Sequence, residues 1–423
     1  MKERPRGTRD FLPEEMETRR GIEDAMRSSA LGFGYGEVQT PTFENTDLFV
    51  ARSGPAIVDE MYVFEDKGGR SMSLRPELTA AVMRLYADQL TRSPKPIRVF
   101  YTGPCFRYER PQKGRYREFF QFGAELIGCP NPEADAEIIA LAVRAIQAAG
   151  VPDPVVRVGH VGALHALMEA VGVEAAVASQ AFPMIDKGDM TSLRTLFDDR
   201  EVGYTAFEQV EDYVNVSGDR SVVDHVMAAY GHYDRLADAL SKLSQALEHL
   251  DTYEGLDYTV DLGIARGLDY YTGVVFEVDW EGLGAEKQIC GGGAYELGQL
   301  FGLENVPATG FAIGLDRVYL AVGMAGGDEE AARSGALVVP MDRGGDVMGL
   351  AVRAAERLRG AGVRTELEIM RRGTGKALKG ADQRGLRWAV IVGTDEAAQG
   401  KVTVKDLVSG EQRLVDPEEL SGL

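Results

Sequence analysis

The chain of 423 residues reads as an α+β protein, with a mainly antiparallel sheet, a helical insertion and a C-terminal α/β domain. Three observations predict this. The β-favouring, apolar-rich segments Pro96–Tyr101 and Glu118–Glu125 flank a loop holding Pro111 and Gly114, the pattern of two antiparallel strands with a long connection. Residues 164–250 are helical in pattern, with polar breaks near Asp186–Gly188 and Ser217–Gly218. From residue 336 onward, strands and helices alternate, the rhythm of a largely parallel sheet.

Composition narrows the class. The length exceeds one ordinary compact domain, and 44% apolar residues suffice for full cores. No apolar run is long enough to span a bilayer, so no membrane association is expected. Met1–Asp10 lacks the apolar core of a secretion signal. Cys105, Cys129 and Cys290 lie far apart without a C-x-x-C pair, which argues for a reducing cytoplasm and against a zinc site or a disulfide framework. The net charge is −20, yet residues 334–423 hold 14 Lys and Arg against 13 Asp and Glu. Any polyanionic partner must therefore be met by local basic patches and by this near-neutral C-terminal part.

The elements follow in order. Residues 14–33 predict a helix, and Tyr35–Pro41 a strand that proline stops. Residues 60–66 and 70–76 predict a hairpin around Gly68 and Gly69, leading through Arg75-Pro-Glu77-Leu-Thr79 into a helix over 80–89. A helix over 133–149 and a strand over 155–158 precede the helical block. Strand character resumes at 258–262, 274–278 and 286–290, and Gly310-Phe-Ala-Ile-Gly-Leu-Asp-Arg317 is a glycine-flanked strand turning into a helix. The expected division is a core of 1–163 with 251–325, an insertion of 164–250, a linker of 326–335 and a domain of 336–423. Within the last, strands are expected at 336–340, 364–369, 388–392 and 402–407, and helices at 346–361 and 374–385. Gly373-Thr-Gly-Lys376 lacks the earlier glycine of a P-loop and reads as a helix entry.

The chemistry concentrates in residues 107–117, which hold four arginines and one lysine in an otherwise acidic protein. Gln121 and Glu125 are four apart, so on a strand they face the same way. A cationic hairpin with two inward polar groups suits a polyphosphate beside a small polar ligand.

Phe106-Arg107-Tyr108-Glu109 through Arg117-Glu118-Phe119-Phe120-Gln121 resembles motif 2 of the class II aminoacyl-tRNA synthetases, and Gly310–Arg317 resembles motif 3. The helix, strand and terminal proline at 14–41 are similar to motif 1, the dimer interface of that class. Ala265-Arg266-Gly-Leu-Asp-Tyr270-Tyr271-Thr-Gly-Val-Val-Phe-Glu277 resembles the signature peptide of the histidyl-tRNA synthetase family. Arg75–Thr79, Pro111–Arg117, Cys290–Tyr295, Val402–Leu407 and Arg6–Phe11 match the same family, so the resemblance runs through nearly the whole chain. One position departs: Ala294 stands where an arginine often precedes the tyrosine.

The resemblance implies a homodimer that activates L-histidine with ATP and Mg2+ and transfers it to tRNA(His). Arg107 would hold the α-phosphate, Arg317 the γ-phosphate end, and Glu109 the adenine amino group. Glu77, Thr79 and Gln121 would bind the α-amino group, and Glu125 and Tyr271 the imidazole. Arg266 would bridge the substrate carboxylate and α-phosphate as a catalytic cation, with no protein-held metal. Tyr270 and Tyr295 would wall the pocket, though alternation keeps Tyr270 and Tyr271 from facing the same side. Arg110 and Gln112 would meet the tRNA acceptor end, and residues 336–423 the anticodon.

These roles suit the chemistry. The attacking carboxylate is already ionised, so adenylation needs no base, only fixed cations for the charge building at phosphorus, each worth roughly 3–4 kcal/mol. Arginine stays charged and binds phosphate through a planar fork. Imidazole offers one donor and one acceptor, which a carboxylate and a phenol can complement. Two other classes compete. The regulatory subunit of ATP phosphoribosyltransferase is a non-catalytic paralogue suggested by Val158-Gly-His-Val-Gly162, but such paralogues generally lack the C-terminal domain and erode the motif arginines. Another class II synthetase should lack the segment around Arg266.

Overall fold

The computed structural model describes residues 3–53, 55–108, 116–265, 271–326, 333–342 and 345–423. They fall into two units, Met1–Gly327 and Asp328–Leu423.

The first unit opens with α1 (Pro13–Gly32), which has Pro13 in its first turn, followed by Glu14 and Glu15 near the positive helix end. Next come β1 (Gly36–Glu37), β2 (Phe43–Asn45), α2 (Thr46–Ser53), β3 (Val63–Glu65) and β4 (Ser71–Leu74). β1 is shorter than the strand expected over 35–41. The Thr40 and Pro41 carbonyls leave the ladder and accept from the buried Arg75 guanidinium, at 2.8 and 3.0 Å. The hairpin around Gly68 and Gly69 is present as β3 against β4, with Gly69 at φ 76°. α3 (Thr79–Leu85) runs on into a π-turn at Tyr86–Leu90.

β5 (Ile97–Phe106) and β6 (Glu118–Ile127) form the long antiparallel pair that the sequence predicts. α4 (Pro132–Ala148), β7 (Val155–His160) and α5 (Val161–Ala170) follow, then α6 (Ala175–Asp186), α7 (Met190–Asp199), α8 (Tyr204–Val214), β8 (Ser217–Gly218) and α9 (Ser221–Tyr230). α10 (Asp234–Leu250) closes the helical block, burying Leu236, Leu240, Leu243, Leu247 and Leu250 at helical spacing. β9 (Thr259–Asp261), β10 (Tyr271–Asp279), β11 (Gln288–Tyr295), β12 (Ala308–Gly314) and α11 (Leu315–Ala325) complete the unit.

Among the described residues one sheet runs in the order β1-β5-β6-β12-β11-β10-β7-β9-β8. Its pairs are antiparallel except β1 with β5 and β7 with β9. The two faces differ in kind. On one, Phe100, Phe122 and Phe311 stack at 5.7 and 6.3 Å beneath α4, while α5 and α10 cover β10. The other face carries the polar residues described below. α11 is tied to this sheet by buried Asp316, which accepts from the Phe120 amide at 2.9 Å and pairs with Arg9 and Arg19. Among the described residues no helix is long and apolar enough to cross a membrane.

In the second unit β13 (Ala336–Pro340) is buried throughout and lies parallel to β14 (Thr365–Leu367) and β15 (Trp388–Val392). α12 (Gly345–Gly360) and α13 (Thr374–Gln383) connect these strands. β16 (Val402–Asp406) and β17 (Gln412–Val415) then add antiparallel, so the sheet is mixed, not largely parallel. The connections explain the reversal. Only residues 393–401, with the short α14 (Thr394–Gln399), join β15 to β16, too few for a parallel crossover. A turn with Gly410 at φ 78° joins β16 to β17.

Candidate active site

Register brings the polar face together. Along β5 and β6, Val99 stands opposite Glu125, Tyr101 opposite Gly123, and Gly103 opposite Gln121. Across β6 and β12, Glu125 meets Gly310 and Gln121 meets Gly314. Side chains alternate along a strand, so Tyr101, Cys105, Gln121 and Glu125 share a face. The glycines keep it open. A Cβ at Gly123 would lie 2.5 Å from the Tyr101 hydroxyl, and one at Gly310 would overlap Glu125 Oε2.

Glu125 is the centre of the arrangement. Its carboxylate is 1% exposed and accepts from Tyr101 Oη at 2.9 Å and from Tyr295 Oη at 2.7 Å. Thr79 Oγ1 lies 3.5 Å from Tyr101 Oη. Burial pushes the Glu125 pKa up to about 7, although hydrogen bonds from Tyr295, Tyr101 and Thr79 oppose the shift. A ligand that donates a hydrogen bond or brings positive charge would favour the ionised form. Tyr271 stands directly opposite Tyr295 in the β10–β11 ladder and is itself buried.

A second group gathers around Cys105, whose buried thiol donates to Gln121 Oε1 at 3.2 Å. Burial raises that thiol to about 12, and Arg107, Arg75 and Glu77 are the charges that act on it. The Glu77 carboxylate accepts from the Ala80 amide at 3.1 Å at the start of α3. Arg107 leaves β5 with Nε donating to the Pro76 carbonyl at 3.1 Å and its guanidinium 5.2 Å from the Phe119 ring. Arg75 supports this corner. Its donors go to the Thr40, Pro41 and Pro104 carbonyls, joining the end of the β1 segment to β5. Arg317, in the first turn of α11, donates to the Gln288 carbonyl. It stands three residues after Gly314, the residue opposite Gln121.

The structure thus unites Thr79, Glu125 and Tyr295 in one network, and sets Glu77, Arg107 and Gln121 around Cys105. Tyr295, expected only as a wall, donates its hydroxyl to Glu125. Tyr101 was missed by the sequence reading. The available signal was its place on the strand before the basic loop, but only the register with Gly123 shows that it faces Glu125. Glu109, Arg110, Gln112, Arg266 and Tyr270 lie outside the described residues.

Comparison with known proteins bears on this geometry. A family model described as histidyl-tRNA synthetase matches residues 7–318, and an anticodon-binding domain model matches residues 336–423. The chain belongs to the histidyl-tRNA synthetase family. It is an enzyme of the aminoacyl-tRNA synthetase class. A histidine–tRNA ligase of Archaeoglobus fulgidus is 46% identical over 99% of this chain and 98% of its own length. One from Methanocaldococcus jannaschii is 42% identical over 100% and 99%. The crystal structure of a Nostoc histidyl-tRNA synthetase superposes with a TM-score of 0.84 over 100% of this chain and 98% of that one, which at 24% identity speaks to the fold. The match of residues 336–423 to an anticodon-binding domain counts against the regulatory-subunit alternative, as do the ligase relatives.

Proposed function

We propose that this protein ligates L-histidine to tRNA(His), reading the imidazole with Glu125 and the reacting phosphates with arginines. The observation that carries the reading is Glu125, a buried carboxylate held by two phenols at the centre of an open sheet face. Histidine is the substrate that suits it. An imidazole N–H donates to the carboxylate, and burial of this polar network rejects apolar side chains by leaving it unsatisfied. Tyr271 meets the other side of the ring. Glu77, Thr79 and Gln121 take the α-amino group, and Tyr270 helps to enclose the pocket.

ATP is the second substrate, and Mg2+ enters with it. Arg107 holds the α-phosphate and Arg317 the γ-phosphate, while Glu109 meets the adenine amino group. Arg266 bridges the histidine carboxylate and the α-phosphate. The carboxylate attacks phosphorus, pyrophosphate leaves, and these cations counter the charge that develops. The adenylate carbonyl is then attacked by the terminal ribose hydroxyl of the tRNA, releasing AMP. Arg110 and Gln112 contact the acceptor end, and residues 336–423 read the anticodon.

The working form is a homodimer in the cytoplasm, where Cys105, Cys129 and Cys290 stay reduced. Dimerisation is supported by the motif 1 resemblance of residues 14–41. It is also supported by Phe43 and Phe64, an edge-to-face pair at 6.3 Å that remains 52% and 43% exposed. The catalytic core is assigned to 1–163 with 251–325, the insertion to 164–250 and the linker to 326–335. The test is aminoacylation itself: with Mg-ATP and tRNA(His), the purified dimer should accumulate histidyl-tRNA. A folded protein that charges this tRNA with no histidine would overturn the assignment.

A further inference from the structure

The segment that precedes α1 is held against the two strands of the cationic hairpin where they meet its loop. The Arg117 amide donates to the Gly7 carbonyl at 2.8 Å, and the Arg107 amide donates to the Arg117 carbonyl at 3.0 Å. Gly7 sits at φ 84°, and a Cβ there would lie 2.7 Å from Arg117 Cγ. Glycine suits both that backbone and that close approach. The N-terminal segment is therefore linked through Arg117 to Arg107, the residue assigned to the α-phosphate.

Two residues further on, the same segment joins a cluster of guanidinium groups and aromatic rings. The Arg9 guanidinium lies 4.2 Å from the Tyr116 ring and 4.5 Å from the Phe11 ring. That of Arg19 lies 4.6 Å from Phe11 and 4.0 Å from Phe120, so Phe11 serves both. Both cations pair with one oxygen of buried Asp316, whose other oxygen accepts from the Phe120 amide at 2.9 Å. The Arg9 side chain is only 16% exposed. A cation shared between a buried carboxylate and aromatic faces is fixed in a way that a solvated surface ion pair is not. Asp316 immediately precedes Arg317, the residue assigned to the γ-phosphate.

We propose that Arg9 is a positioning residue for adenylation, joining the backbone that carries Arg107 to the helix start that carries Arg317. The proposal rests on the assignment of those two arginines to the α- and γ-phosphates. They come from different elements, β5 and α11, and grip opposite ends of one triphosphate, so their separation must suit that ligand. A misplacement of about 1 Å is enough to slow such a reaction. A continuous path sets the separation: Arg107 to Arg117, Arg117 to Gly7, then from Arg9 to Asp316 and so to Arg317. Arg9 acts through these residues and not on the substrates. The network of Glu125 with Tyr101 and Tyr295 shares no residue with this path, so loss of Arg9 is felt by ATP far more than by histidine.

Pyrophosphate exchange by the full chain with histidine and Mg-ATP tests this. Arg9→Ala should lower kcat/KM for ATP by at least about tenfold, or ~1.4 kcal/mol, and change the histidine KM by no more than about twofold. Its circular dichroism spectrum should match that of the parent. Added methylguanidinium should restore part of the ATP efficiency by refilling the space beside Tyr116 and Phe11, and methylammonium at equal ionic strength should not. Arg9→Lys keeps a charge for Asp316 without the planar group and should also lose ATP efficiency. It remains informative if Arg9→Ala does not fold. A residue that only braces the fold would lower the unfolding temperature and leave the kinetics well below it unchanged, and that result would overturn the proposal. Equal losses for ATP and histidine, or equal rescue by the two cations, would overturn it too. A parent protein that shows no histidine-dependent exchange would overturn the functional reading itself, and the proposal with it.

Discussion

Gly310 stands directly opposite Glu125 in the β6–β12 ladder, and the missing Cβ is what gives the carboxylate its place. A methyl group there would overlap Glu125 Oε2 and sit 2.7 Å from the Ala124 carbonyl, which is backbone and cannot swing aside. Gly310→Ala should therefore displace Glu125 and raise the histidine KM by tenfold or more, about 1.4 kcal/mol, with a smaller change in the KM for ATP. Steady-state exchange kinetics check this, and equal losses for both substrates would contradict it.

The buried carboxyl also has a pH signature. Its folded pKa of about 7 lies above its ordinary value of 4.5. Between those values the folded state holds a proton that the unfolded state has lost, so this group's contribution to stability falls as pH rises from about 4.5 through about 7 and is level above. Glu125→Gln removes the term. Relative to the parent, the variant should gain stability between pH 5 and 8, by up to on the order of 3 kcal/mol. Urea unfolding at both pH values measures it, and a pH-independent difference would contradict it. The same variant should lose histidine affinity.

Arg107 and Arg317 are expected to act on charge that develops during adenylation. Arg107→Ala and Arg317→Ala should each lower the rate of pyrophosphate exchange by more than about tenfold, or ~1.4 kcal/mol, with the fold retained. Pre-steady-state adenylation with a circular dichroism control separates a lost cation from a lost structure. A smaller effect would make Arg107, already donating to the Pro76 carbonyl, a structural residue.

Gln112 belongs to the basic loop between β5 and β6. Gln112→Ala should impair tRNA charging while sparing adenylation, because the cationic and amide side chains of this segment suit an RNA acceptor end. Equal damage to both reactions would assign the loop to ATP.

Some of this was legible from residues alone. Gln121 and Glu125 share a face because strand periodicity requires it, and Arg317 enters a helix because a glycine-flanked strand turns there. Tyr101 was not legible. Its role depends on which residue of β6 lies beside it, and that register is set by ten pairings from Ile97–Ile127 to Phe106–Glu118. The antiparallel end of the second unit escaped notice because Gln412–Val415 is a short, mostly exposed edge strand.

The central claim is that Glu125, held by Tyr101 and Tyr295, selects histidine. It is tested most directly by ATP–pyrophosphate exchange against each proteinogenic amino acid in turn, with the parent protein and Tyr101→Phe side by side. The parent should exchange with histidine alone. Tyr101→Phe, which strips Glu125 Oε1 of its 2.9 Å partner, should lose histidine efficiency while ATP handling persists. Exchange driven by another amino acid, or by none, would contradict the account.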